Sequence, residues 1–308
     1  MSQEYRNQFG MAVLKDDGSV VTWGGDGLQN HYGNDSSGVE QLLSFGVSQI
    51  FSNSKSFAAI KEDGSVVTWG DQYGGGDSSM VSNQLSSGVK RIFSTRRSYT
   101  ALKEDGSVVI WGGGLNVYGD GGGIPDGLSG ITDVFTTDNA FAALRNDGSV
   151  VSWGESEYGG DSLSVVFDLL RGVVKVQSNN LAFAALKNDG SVVTWGDSNN
   201  GGNSSTVAEH ISSGVVDIFS TRNEEFGFSD DGYAFAALKN DGSVVTWGGE
   251  RGGDSSEVGE QLGSDVIEIV SNKYGFAALK QNGSVVTWGN YDGPNPQNYL
   301  SPSNNASI

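Results

Sequence analysis

The phrase FAALKNDGSVVTWG, at residues 183–196, recurs in variant form along the chain, and each copy closes on a Trp-Gly pair. The seven tryptophans, Trp23, Trp69, Trp111, Trp153, Trp195, Trp247 and Trp288, are separated by 46, 42, 42, 42, 52 and 41 residues. A repeat near 42 residues that reads as short strands parted by Gly-rich turns predicts a β-propeller with one blade per repeat.

The repeat from residue 173 shows how a blade is written. Val173 to Ser178 reads as strand A, Phe183 to Lys187 as strand B and Ser191 to Trp195 as strand C. The weaker pair Val207 and Ile211 marks an outermost strand D or a short turn of helix. Asp189-Gly190 predicts a tight hairpin turn, because glycine takes a positive φ that a β-branched residue resists. The turn returns at Asp17-Gly18, Asp63-Gly64, Asp105-Gly106, Asp147-Gly148 and Asp241-Gly242, and as Asn282-Gly283. Strands such as SVVTW are too apolar for simple in-out alternation, which fits blades covered on both faces. The expected fold is all-β: a seven-bladed propeller of four-stranded antiparallel blades, one domain over 1–308. Its blades fall at 1–46, 47–88, 89–130, 131–172, 173–214, 215–265 and 266–308. The ends are the irregular part. Glu4 stands where other first strands carry Ile50, Ile92, Val134, Val176, Ile218 and Ile269, and the last repeat holds three of the four prolines.

Composition narrows the function classes. No cysteine is present, so disulfides, zinc-thiolate sites and thiol chemistry drop out together. His31 and His210, the only histidines, lie in different repeats and offer no triad or histidine metal site. A net charge of −19 repels phosphate backbones and anionic lipid, which argues against nucleic acid and membrane partners. No secretory leader and no membrane-length apolar run is seen, so a cytoplasmic monomer is the default expectation, with an extracellular location left open. No cofactor, metal or catalytic residue is expected. Glu224, Glu225, Asp230 and Asp231 are carboxylate-rich but do not match a calcium loop.

The order WG, Gly-rich loop, SGV, apolar strand, FAAL and DG resembles the regulator-of-chromosome-condensation (RCC1-like) repeat over nearly the whole chain. The elements ALKNDGSVVTWGDSNNGG and SSGVVDI are most similar to the propeller-type β-lactamase inhibitory branch of that superfamily. The resemblance implies a binding scaffold that uses its loop face. It does not carry over exchange-factor activity, because Phe57, Tyr99, Phe141, Phe183, Phe235 and Phe276 stand where the family's repeats place histidine. Inhibition of a β-lactamase is not expected either, since the loops at 53–56, 95–98 and 137–140 lack aromatic residues.

The repeat spacing locates the functional surface. In an antiparallel blade the A–B and C–D loops leave one end and the B–C turns and D–A links the other. The first repeat is lengthened in its C–D loop (25–33), and the sixth gains ten residues in its A–B loop (221–234). Length therefore varies at one end, where binding residues on rigid scaffolds usually sit. That end is also rich in interface residue types. Tyr32, Tyr73, Tyr118, Tyr158 and Tyr291 fall in C–D loops, and Phe226, Phe228, Tyr233 and Tyr274 in A–B loops. The cations Lys55, Arg96, Arg97, Arg222 and Lys273 accompany the A–B set. These fourteen residues are the candidate partner contacts. The expected function is non-enzymatic binding of another protein; a lectin-like glycan site and a purely structural role are the alternatives.

Overall fold

In a computed structural model the chain is described over residues 3–24, 35–113, 127–223 and 232–289. It divides into two compact units, one built mainly from Met1–Asn146 and the other mainly from Ser156–Glu224 and Ser229–Ile308. The described residues form seven antiparallel sheets, each of three strands in the order A-B-C.

The repeat starting at Val173 represents the others. Strand A (Val173–Ser178) pairs with strand B (Ala182–Lys187), which pairs with strand C (Val192–Gly196). A bulge between Val173 and Lys175 offsets the A–B register, and the same irregularity opens every strand A except the first. The B–C connection is a three-residue turn. Lys187 N donates to Ser191 O, Gly190 N donates to Lys187 O, and Gly190 takes φ +79°. The Asp189 carboxylate accepts from both the N–H and the hydroxyl of Ser191.

The blades are three-stranded, not four-stranded. Where strand D was expected, the chain turns helically at Ser79–Val81, Leu163–Val165, Ser205–Val207 and Ser256–Val258, with a short α-helix at Glu40–Leu43. The reason lies in apolar spacing. Val207 and the buried Ile211 are four apart, which suits one face of a helical turn rather than a period-2 strand. The chain just after each of the four 3₁₀ turns keeps a backbone bond to strand C, as in Val192 N to Ile211 O.

Both faces of a sheet are apolar because neighbouring sheets share one core. In the second unit Ala182, Ala184 and Leu186 pack with Ile218, Phe235, Ala237 and Trp247 of the next repeat. In the first unit Ala58 and Ile60 meet Ile92, Tyr99, Ala101 and Trp111 in the same way. Within each sheet the strand B aromatic stacks on the strand C tryptophan, as Phe183 does on Trp195 at 5.1 Å between ring centres. The first repeat is the exception. Strand A (Gln3–Arg6) is largely exposed, and Trp23 is 43% exposed where Trp69 and Trp111 are 5% or less. Glu4 cannot enter an apolar interface without losing its hydration, so of this strand only Tyr5 packs against the shared core.

Candidate functional site

The loop end is built on a repeated side-chain tether at the start of each A–B loop. Asn53 Oδ1 accepts from Lys55 N and Ser56 N, and its Nδ2 donates to Gly74 O in the C–D loop at 2.6 Å. Asn179 repeats this, accepting from Leu181 N and Ala182 N and donating to Asn200 O. Thr95, Thr137 and Thr221 hold the same turn through a hydroxyl that accepts from Ser98, Ala140 and Ala234 N–H. Threonine has no second arm, so in those repeats the two loops are joined by backbone bonds, as Gly113 N to Arg97 O and Glu155 N to Asn139 O.

In the first unit the A–B loops are also linked from repeat to repeat. Gln8 N donates to Ser54 O, Ser54 N to Arg96 O, and Arg96 N to Asp138 O. On this frame Arg96 is partly buried and pairs with Asp138 at 3.3 Å, while Arg97 projects into solvent. Gly113 N donates to both Tyr73 O and Arg97 O, which brings a C–D loop of one repeat against the A–B loop of the next. Tyr73, 65% exposed, stands in a single 3₁₀ turn capped by Asp71, whose carboxylate accepts from Gly74 N–H. Lys55 is half-buried beside it, its carbonyl accepting from Asp71 N. Lys55, Tyr73, Arg96 and Arg97 are thus brought together. Beneath them Tyr99 donates to Ser56 O at 2.8 Å; burial pushes its phenol pKa up, so it serves there as a neutral donor.

The second unit uses side chains for the same purpose. Asn180 Nδ2 donates to Asn223 O while its Oδ1 accepts from Asn223 N, and Arg222 donates to the Ser178 hydroxyl at 2.8 Å. Tyr158 sits half-buried in a 3₁₀ turn, and Lys273 lies 5.1 Å from the Tyr274 ring centre. Tyr233 departs from expectation. It is fully buried under the Arg251 guanidinium, 4.8 Å from its ring centre, and so supports the loops from below rather than facing a partner. The cause is the Asn200 side chain, whose Oδ1 accepts from both Gly232 and Tyr233 N–H and draws that stretch inward. Tyr32, Tyr118, Phe226, Phe228 and Tyr291 lie outside the described residues, as do His31 and the carboxylates from Glu224 to Asp231.

Comparison with known proteins yields fold relatives only. No family model and no curated protein matches the sequence. Yeast RCC1 (Prp20), solved with Kap60, is similar at 16% identity over 87% of this chain and 73% of that one, with a TM-score of 0.46. Human WBSCR16 is similar at 18% identity over 91% and 87%, with a TM-score of 0.45. The receptor kinase CR4 ectodomain of Physcomitrella patens is similar at 18% identity and a TM-score of 0.44; the match spans 79% of this chain and 62% of that ectodomain.

Among the described residues no three His, Asp or Glu side chains gather to hold a metal ion, and no helix is long and apolar enough to cross a membrane. His210 contributes a backbone carbonyl, which accepts from Lys239 Nζ. Sequence reasoning missed the Asn/Thr tethers. Their signal was present, since the residue after every strand A is Asn7, Asn53, Thr95, Thr137, Asn179, Thr221 or Asn272.

Proposed function

We propose that the seven repeats close into a seven-bladed, RCC1-like propeller that acts as a non-enzymatic protein-binding module through its A–B and C–D loop end. The observation that carries this reading is the Tyr73 and Arg97 pair: backbone bonds fix the loops while both side chains stay exposed to solvent. Such preorganisation lowers the ordering cost of binding, and Tyr and Arg are the residue types that dominate interface energetics. Tyr158, Arg222, Lys273 and Tyr274 extend the same chemistry through the second unit's loops.

The test is a variant carrying Tyr73→Ala, Arg97→Ala, Tyr158→Ala and Tyr274→Ala, compared with the parent as immobilised bait, with captured proteins identified by mass spectrometry. Specific capture should disappear while the thermal midpoint stays within about 2 °C, since surface truncations rarely cost more. Unchanged capture would place binding elsewhere.

A further inference from the structure

One outer segment differs in kind from its counterparts. At three positions around the buried anchor residue, the other described segments carry serine, a polar or acidic residue, and serine or glycine, as in Ser79, Asn83 and Ser86. In the fourth repeat, anchored by Leu169, these positions hold Leu163, Phe167 and Leu170, which are 75%, 85% and 57% exposed. Asp168 N donates to Val165 O, and Leu169 N to Val165 O and Val166 O, winding the stretch helically. Spacings of four and three then set the three apolar side chains on one side. Stability does not ask for them, because the sister segments fold with polar residues there.

A second observation falls on the same spot. Lys61, Lys103, Lys239 and Lys280 each donate Nζ to a carbonyl of the preceding repeat's outer segment, at 3.0, 2.8, 2.8 and 2.6 Å. The equivalent carbonyl for Lys187 belongs to Asp168. Yet among the described residues the Lys187 ammonium donates no hydrogen bond. It lines an open groove of about 540 Å³ instead, with Ser164, Val165 and Asp168 on one wall and Thr194 of strand C on the other.

We propose that this groove and the exposed apolar residues of the segment that forms its wall make a docking site, separate from the loop end, for an amphipathic helical segment of another protein. The segment's apolar side covers Leu163, Phe167 and Leu170, and one of its carboxylates reaches Lys187. Helix-in-groove recognition needs apolar anchors at helical spacing and a charge to set register, and both are present. A second copy of this chain is the poorer occupant. A two-fold contact would set Asp168 of one copy near that of the other, like charge facing like charge.

The experiment follows binding by fluorescence anisotropy, using a labelled amphipathic peptide of leucine and glutamate, about 14 residues long so that it can form helix. Its control is a leucine-lysine peptide of the same pattern, at about 0.15 M salt to screen general attraction. The parent should bind the leucine-glutamate peptide at one site. The triple variant Leu163→Ser, Phe167→Asn, Leu170→Ser and the single variant Lys187→Gln should each weaken it at least about tenfold. Tyr73→Ala with Arg97→Ala should leave it unchanged, so failure here is distinct from failure of the loop-end reading. The triple variant uses residues that sister segments already carry; if it unfolds, Lys187→Gln decides. The proposal is overturned if the parent does not bind, if the leucine-lysine peptide binds as tightly, or if neither variant weakens binding. Sedimentation showing a parent dimer that the triple variant converts to monomer also overturns it.

Discussion

The two ends of the sheets are held by opposite strategies. At the turn end one arrangement repeats: the carbonyl of Gly18, Gly64, Gly106, Gly148, Gly190 or Gly242 accepts from the first N–H of the next strand A, at Val47, Val89, Ile131, Val173, Val215 or Val266. The glycine is required twice over at this point. Gly190 has φ +79°, and a Cβ there would sit 2.7 Å from Gly214 N. At the loop end no single arrangement serves all repeats, and asparagine, threonine, serine and arginine each tie loops in their own way. One end fixes how repeat follows repeat, which leaves the other free to change length and side chains.

The largest test asks whether the shared core, rather than the loop ties, carries stability. Phe183→Ala removes a fully buried ring stacked on Trp195, and should cost about 3–5 kcal/mol by chemical denaturation. A loss under about 1 kcal/mol would mean that the core relaxes around the gap and the comparison between the ends loses its basis.

The next test probes the tethers. Asn179→Ala leaves Leu181 N, Ala182 N and Asn200 O without their partner and should cost about 2 kcal/mol. Asn179→Thr copies the sister repeats and should recover roughly half of that, about 1 kcal/mol. If threonine restores everything, the arm to Asn200 O contributes nothing and the loops are tied by backbone alone.

A third test sharpens the uniformity of the turn end by repairing its one exception. Asp265 has φ +65°, whereas its counterparts Gly46, Gly88, Gly130, Gly172 and Gly214 are glycines at φ +67° to +79°. Asp265→Gly removes left-handed strain and should stabilise by about 1 kcal/mol, net of the entropy of the added glycine. A destabilised variant would show that the Ser264 hydroxyl's bond to this carboxylate outweighs the strain.

The smallest effect is pH dependence. Asp17, Asp63, Asp105, Asp189 and Asp241 are held below the usual carboxylate range, first by the serine hydroxyl two residues on and then by that serine's N–H. A depressed folded pKa means that the stabilisation is complete above the unfolded value, about 3.9, and is lost as pH falls through the lower folded value. The thermal midpoint should therefore decline below about pH 4. The decline should be shallower in Asp189→Asn, since Asn282 makes the same pair of bonds to Ser284 without a charge. An identical acid profile in that variant would assign the decline to other carboxylates.

The strands and turns were legible in the chain because their determinants are local. Asp189-Gly190 sets its own turn, and VVKVQS became strand A with the expected bounds. The outer segment was ambiguous between strand and helical turn, and the four-residue spacing of Val207 and Ile211 decided it. At the candidate site, the tyrosines and arginines were named but not their exposure. Tyr73 and Arg97 project, while Tyr233 turned inward because Asn200, more than thirty residues away in sequence, captures its backbone.

By itself the sequence determined the number of repeats, the strand order within each and the end at which length varies, because period and turn chemistry act over a few residues. Tertiary structure alone decided which loop aromatics face solvent, which asparagines bind two loops together, and that Leu163, Phe167 and Leu170 are exposed on the segment whose Asp168 lines a groove with Lys187. Those outcomes depend on which neighbouring repeat supplies a carbonyl or an apolar face, and a contact across forty residues leaves no mark on either stretch read alone.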